Sequence, residues 1–173
     1  VMLADGTIFR TGMGAMENSN TWNLFKYGYG PYLDGIFSQS NFGIIIKMGI
    51  WLMPEPPGHM PFMITLPREE DLHMATDILR PLRINMVIPN GVLTPDLIWE
   101  SATKVPRSKY YTGKGPMPDS ARKKMAKDLD MGQWNVIAGL YGPQPIMDAN
   151  WGVIRNAFAS IPGAKFYTGG KKT

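Results

Sequence analysis

The sequence predicts an α+β protein whose second part is a ferredoxin-like domain, with an antiparallel sheet and helices on one face. Strand, helix and strand patterns follow one another twice, over 62–89 and over 134–168. The stretch Pro54-Glu-Pro-Pro-Gly58 precedes both, and three prolines with a glycine continue neither a strand ladder nor a helix. We therefore expect a domain boundary there, with one domain over 1–54 and another over 59–173.

The composition is typical of a folded chain that has part of its surface in contact with partners. The 173 residues are 44% hydrophobic and 11% aromatic, enough to build a core. Charged residues make up 18%, below the ordinary ~25% of soluble domains. Contacts with partners, including further copies of the chain, would account for this low share.

Several classes of site and partner are not predicted. The chain has no cysteine, which excludes disulfides and thiolate ligands, and its two histidines, His59 and His73, stand alone. The net charge of +4 is spread along the chain, so nucleic acid is not an expected partner. No apolar run reaches the ~18 residues of a membrane helix. The chain opens at Val1-Met-Leu-Ala4, already inside a predicted strand, which is typical of a piece of a longer protein.

The N-terminal elements begin with a hairpin. Asp5-Gly6 stands between two short apolar runs and predicts a type I′ turn, because both residues tolerate positive φ. The segment 11–20 is predicted to be loop. Thr21 to Lys26 is expected to form a short helix with Trp22 and Phe25 packed inward.

A polar loop over Ser38 to Gly43 leads into the most apolar run of the chain, Ile44 to Met53. The run is β-branched and predicts a buried strand. The loop offers amide, hydroxyl and backbone donors with little side-chain bulk, which suits close approach to a polar ligand. Two interpretations remain open, a ligand-binding loop or the ordinary start of a strand.

The second part alternates strands and helices. Proline and acids at 67–71 mark the start of its first helix, and Thr94-Pro95 marks the second. The predicted elements are, in chain order, strand 62–66, helix 67–82, strand 85–89, helix 94–103, an irregular basic excursion 105–118, helix 119–129, strand 134–141, helix 146–161 and strand 164–168.

No complete catalytic constellation is present. Asp34 could serve as a base or hydrogen-bond acceptor, although a carboxylate before Gly35 is more often a turn former. The cluster of Tyr27, Tyr29 and Tyr32 fits either ring stacking or ordinary packing. Glu100 is expected on a solvated helix face.

Short motifs along the whole chain resemble the vanillyl-alcohol oxidase / 4-cresol dehydrogenase family of flavoproteins. The motifs are Arg10-Thr-Gly-Met-Gly-Ala15, Tyr27-Gly-Tyr-Gly-Pro31, Asp34-Gly35, Phe37-Ser-Gln-Ser-Asn41, Trp51-Leu-Met-Pro54, Arg80-Pro-Leu-Arg83, Gly132-Gln-Trp-Asn135 and Ile161-Pro-Gly163. Within the family, the similarity is closest to the 4-cresol dehydrogenase members, through Ile88-Pro-Asn90, Leu97-Ile-Trp-Glu100 and Ala149-Asn-Trp151.

The resemblance implies FAD as the cofactor. Residues 1–54 would be the C-terminal part of the FAD-binding domain, and 59–173 would be an incomplete cap domain over the substrate. The residues expected to line the adenosine and pyrophosphate side of the flavin are Gln39, Ser40, Asn41, Gly43 and Ile44. An aromatic substrate needs an apolar wall, for which the candidates are Met86 and Ile88 at the end of a cap strand.

The resemblance also implies a reaction and partners. The family transfers a hydride from the benzylic carbon of a 4-alkylphenol to the flavin, so a phenol is the expected substrate and cytochrome c a candidate electron acceptor. Oxidase and cytochrome-linked dehydrogenase both remain open. The family's glycine-rich pyrophosphate loop and catalytic residues lie outside this chain, so we expect an internal fragment that binds FAD weakly. The rival interpretation is a non-catalytic ferredoxin-like binding or oligomerisation module without flavin.

Overall fold

A computed structural model describes residues 1–22, 24, 32–169 and 171–172. The chain divides into two compact units, Val1–Pro54 and Glu55–Thr173. The predicted helix over 21–26 and the residues Tyr27 and Tyr29 lie largely or wholly outside the described residues.

The first unit opens with the predicted hairpin, although its turn differs from the expected type. The amide of Leu3 donates to the carbonyl of Thr7 at 2.9 Å, and Phe9 donates to Val1 at 2.8 Å. Within the turn only Gly6 has positive φ, at 84°, whereas a type I′ turn requires two such residues. The hairpin therefore closes through a three-residue loop, in which Asp5 accepts a hydrogen bond from the Thr7 amide at 2.9 Å.

The predicted buried strand over Ile44 to Met53 is wrong for the described chain. Ile44 pairs with Met2 through two backbone hydrogen bonds of 2.8 Å, and no strand follows it. Most side chains of the run are exposed, and Leu52 is exposed by 81%. An apolar run becomes a buried strand only when neighbouring strands and a covering layer are present, and here the described residues supply one pairing position.

The second unit contains four strands and four α-helices among its described residues. In chain order they are β1 (His59–Leu66), α1 (Asp71–Ile84), α2 (Leu97–Ala102), α3 (Asp119–Leu129), β2 (Trp134–Tyr141), α4 (Gln144–Phe158), β3 (Lys165–Thr168) and β4 (Lys171–Lys172). The sheet is antiparallel in the order β2-β1-β3-β4, which confirms the α+β class.

The predicted strand over Asn85 to Pro89 is wrong. Helix α1 continues to Ile84, and Met86 then takes a left-handed conformation with φ of 58° that reverses the chain. The chain reaches the free edge of β2 only later, through isolated bridges from Leu93 to Ile137 and from Asp96 to Trp134. Ile88 is buried, and Val87 partly buried, in a turn that follows a helix rather than by strand pairing.

The core lies between one face of the sheet and two helices. Alternate residues of β1, from Phe62 to Leu66, point toward α1 and α4, as period-two alternation requires. Helix α4 covers them with a stripe at helical spacing. That stripe consists of Met147, Trp151, Ile154 and Phe158.

A second cluster joins α2 to α3 through Leu97 and Met125. Glu100 on α2 is buried and pairs with Lys104 at 3.4 Å, so the expected solvated position is wrong. In the following excursion, Arg107 donates to the carbonyls of Gly113 at 3.1 Å and Gly115 at 2.6 Å. One guanidinium thereby organises a segment that has little regular structure of its own.

Candidate functional site

The polar loop of the first unit follows a short 3₁₀ helix, Asp34–Phe37. Gln39, Ser40 and Asn41 are exposed, and Gln39 has a left-handed φ of 49°. Left-handed conformations are uncommon outside glycine, asparagine and aspartate, so this turn carries backbone strain. Strain at an exposed loop is frequently associated with ligand contact.

The loop presents hydrogen-bonding groups that its own fold leaves unused. Within the described chain, the side-chain amides of Gln39 and Asn41 make no hydrogen bond, and the backbone N–H groups of Asn41 and Gly43 donate none. The Ser40 hydroxyl accepts a long contact of 3.5 Å from the Phe42 amide. These free donors are the kind that hold phosphate oxygens or an adenine edge.

The loop is anchored at its far end by Gly43 and Ile44. A side chain at Gly43 would stand 2.6 Å from Val1 Cγ1 and 3.0 Å from the Met2 carbonyl oxygen, so only glycine fits beside the hairpin. The backbone of Ile44 is fully used by Met2, which leaves its 62% exposed side chain as the part able to meet a ligand. The structure thus gathers the five predicted flavin-side residues into one exposed, anchored loop.

A cation–aromatic group lies elsewhere in the same unit. The indole of Trp22 packs on Gly14, where an added Cβ would stand 2.5 Å from the indole nitrogen. Lys47 places its ammonium 4.5 Å from the centre of the Trp22 ring, and Arg10 lies 6.0 Å from it. Sequence reasoning missed this group because Arg10 and Lys47 are 12 and 25 positions from Trp22 and share no periodic pattern with it.

The structure separates the two predicted substrate-side residues. Met86 is 63% exposed and holds the left-handed φ described above. Ile88 is wholly buried in the core, and its carbonyl accepts a hydrogen bond from Arg83 at 2.6 Å. Of the two side chains, only that of Met86 is available at the surface.

A polar aromatic cluster lies on the sheet, away from the face that α1 and α4 cover. His59 stacks on Tyr141 with ring centres 5.0 Å apart, and Asn90 donates to the Tyr141 hydroxyl at 3.4 Å. Asn90 also accepts from the Gly139 amide at 3.5 Å, and a Cβ at Gly139 would lie 2.8 Å from His59 Nε2. The Ile88-Pro-Asn90 motif is the sequence signal nearest to this cluster, but a motif that indicates a family does not reveal the contacts its residues make.

Two grooves mark the second unit. One of about 480 Å³ runs along α4 and is lined by Gln144, Asp148, Trp151 and Arg155. Another of about 400 Å³ lies between Pro95, Trp99 and Trp134.

In the described part of the chain, no three histidine or carboxylate side chains gather as metal ligands would. No helix there has both the length and the apolarity to cross a membrane.

Comparison with known proteins gives a consistent family pattern. No family model matches the sequence. The 4-cresol dehydrogenase [hydroxylating] flavoprotein subunit of Pseudomonas putida is 46% identical over 169 residues, which are 97% of this chain and 32% of that protein. The 1'-carboxy-chondrochloren decarboxylase of Chondromyces crocatus is 32% identical over 139 residues, 78% of this chain and 25% of that protein. The chain therefore spans a third or less of the length of these curated relatives.

Two of the solved structures that match this chain illustrate the shared fold. P-cresol methylhydroxylase with substrate bound matches with a TM-score of 0.83 and 45% identity over 96% of this chain and 33% of that one. The 4-ethylphenol oxidase of Gulosibacter chungangensis, in its isoeugenol complex, matches with a TM-score of 0.85 and 38% identity over 96% of this chain and 32% of that one.

Proposed function

Because the chain belongs to the 4-cresol dehydrogenase family of flavoproteins over 97% of its length, we propose that it forms part of an FAD-dependent oxidoreductase acting on 4-alkylphenols. The 46% identity to the flavoprotein subunit carries this proposal. The structural relatives named for p-cresol and 4-ethylphenol support the same substrate class. A related decarboxylase shows that the fold serves other reactions too, so the phenol assignment rests on the higher identity.

The proposed reaction removes a hydride from the benzylic carbon of a 4-cresol, vanillyl alcohol or eugenol type of substrate. FAD, when bound, accepts that hydride. We assign no catalytic residue to this chain. Its proposed part is to hold the cofactor with residues 1–54 and to cover the substrate with residues 59–173, as the cap-domain resemblance implies.

On the flavin side, Gln39, Ser40, Asn41 and Gly43 would supply donors to the adenosine and pyrophosphate groups. The unused donors of the loop and the strained Gln39 backbone support this role. Ile44 would contribute its exposed side chain against the adenine ring or an adjoining apolar surface.

On the substrate side, Met86 would contact the aromatic ring, since a flexible thioether packs well against aromatic rings. Its exposure and strained backbone support the assignment. Ile88 would act beneath it by holding the turn in the core, because its own side chain is wholly buried there. A phenol is the proposed ligand, and cytochrome c or dioxygen would take the electrons.

A second candidate, a self-associating module, is favoured by the exposed apolar run over Ile44 to Met53. Titration of the purified chain with FAD, followed by flavin fluorescence, separates the two functions. We expect saturable but weak binding that is lost during gel filtration, and a further spectral change on adding 4-cresol. Unchanged flavin fluorescence at millimolar FAD would contradict the flavin role and leave the self-associating module.

A further inference from the structure

Asp34 carries a carboxylate oxygen that the described chain leaves unpaired. Its Oδ1 is buried from solvent and accepts no hydrogen bond. No lysine or arginine of the described residues forms an ion pair with it either. A shielded acceptor without a donor is unfavourable for folding, so such a group in a native protein requires an explanation.

Turn formation does not explain Asp34. Other aspartates of the chain that shape turns or helix starts use their carboxylates locally. Asp5 accepts from the Thr7 amide at 2.9 Å, Asp71 from the Arg68 amide at 2.9 Å and Asp96 from the Trp99 amide at 2.7 Å. Asp34 begins a 3₁₀ helix and makes no such bond, so its oxygen is left for a donor from outside the described fold.

We propose that Asp34 accepts a hydrogen bond from a sugar-type hydroxyl of the cofactor, which deepens and rests on the flavin role given above. The location supports this, because Asp34 lies five positions before the strained Gln39 and its free donors. The chemistry supports it too. An ionised carboxylate only accepts hydrogen bonds and repels phosphate, so its complement in FAD is a donor, and the ribose and ribityl hydroxyls outnumber the adenine amino group and the flavin N3–H. Carboxylates bind ribose hydroxyls in this way in other nucleotide sites.

Two parts of FAD carry such hydroxyls, the adenosine ribose and the ribityl chain. The test therefore measures dissociation constants of the full chain for matched probes. ADP is compared with 2′,3′-dideoxy-ADP for the ribose, and riboflavin with lumiflavin for the ribityl chain. Each pair is measured for the natural chain, for Asp34→Asn and for Asp5→Ala, an exposed turn aspartate that serves as the control.

We expect Asp34→Asn to weaken FAD binding about 10- to 100-fold, the range for a hydrogen bond to a charged group. For one probe pair, the natural chain should prefer the hydroxyl-bearing member, and Asp34→Asn should lose that preference. Because the carboxylate lacks a partner without cofactor, the thermal midpoint of ligand-free Asp34→Asn should equal or exceed that of the natural chain.

A lower thermal midpoint for ligand-free Asp34→Asn would reveal a protein partner and overturn the inference. An FAD affinity of Asp34→Asn equal to that of the natural chain would also overturn the inference, and the proposed flavin role would then stand. If the natural chain binds no FAD at all, the inference about Asp34 and the proposed flavin role both fail. The Asp5→Ala control keeps the comparison specific, since it removes a carboxylate of the same unit that already has its donor.

Discussion

Tyr167 on β3 donates its phenolic hydrogen to Oδ2 of Asp130 at 2.6 Å. Asp130 ends α3 in a left-handed conformation with φ of 51°, and its other oxygen receives the ammonium of Lys165 at 2.6 Å. The pair therefore ties the end of a helix to a strand of the sheet. Burial, reinforced by the hydrogen bond to Asp130 and its charge, raises the pKa of Tyr167 to about 12.

This raised pKa makes the second unit sensitive to alkaline pH. The unfolded tyrosine loses its proton near pH 10, whereas the folded one keeps it to about pH 12. The stabilisation is therefore complete below pH 10 and is lost between pH 10 and 12, which amounts to about 3 kcal/mol. Tyr167→Phe should lower stability by about 1 kcal/mol at neutral pH and flatten this alkaline decline. Urea unfolding across the pH range measures both effects.

The matched control is Tyr111→Phe. The Tyr111 hydroxyl makes only a 3.3 Å bond to the carbonyl of Lys114 in an exposed excursion. Its removal should leave the alkaline decline in place. An equally steep decline in Tyr167→Phe would show that another group causes it.

Sequence patterns predicted those elements whose apolar spacing is unambiguous. Trp151, Ile154 and Phe158 are spaced as on one face of a helix, and they lie in the buried stripe of α4 with Met147, which the pattern did not single out. The strand predicted from Asn85 to Pro89 is wrong because Ile88 is buried, and Val87 partly buried, in a turn, and a short apolar run does not distinguish a turn from a strand. Ile44 to Met53 failed because burial depends on neighbours that composition does not reveal.

Some features of the candidate site can likewise be predicted from the sequence, and others cannot. The small polar residues of the loop over 38–43 are visible as a pattern, and they predict an exposed donor-rich segment. The free oxygen of Asp34 depends on a contact that is missing, and the packing of Trp22 on Gly14 joins residues eight positions apart that share no periodic pattern. No local pattern encodes them.

Gly43 should tolerate no side chain. Gly43→Ala places a Cβ 3.0 Å from the Met2 carbonyl oxygen and 2.6 Å from Val1, so the Met2 to Ile44 pairing should loosen. We expect a loss of about 1 to 2 kcal/mol in the first unit and weaker FAD binding. Hydrogen exchange at the Met2 and Ile44 amides reports the first effect, and flavin fluorescence reports the second.

Gly35→Ala provides the control for Gly43→Ala, because a Cβ at Gly35 would meet no atom within 4 Å. Its amide exchange and FAD affinity should match those of the natural chain. Equal behaviour of the two variants would show that the space beside the hairpin does not limit the loop.

The left-handed backbone of Met86 should lower the free energy of unfolding of the second unit. A left-handed methionine is strained relative to glycine, so Met86→Gly should raise the free energy of unfolding of the second unit by about 1 kcal/mol. Asn85→Gly, at φ of −85°, gains no such relief and should be neutral or destabilising. If Met86 contacts the phenol ring, Met86→Gly should also weaken 4-cresol binding in the presence of FAD. A more stable variant with unchanged 4-cresol affinity would remove Met86 from the substrate site.

The exposed apolar run should drive self-association of the purified chain. Ile50 is 68% exposed and Leu52 is 81% exposed within one extended segment, and contiguous apolar surface of this kind normally requires cover. The double substitution Ile50→Lys and Leu52→Lys should shift sedimentation toward the monomer and raise solubility. The double substitution Ile84→Lys and Ile146→Lys changes residues that are 72% and 56% exposed on α1 and α4, so it controls for the same added charge. An equal shift in that variant would assign the effect to net charge and not to the apolar run.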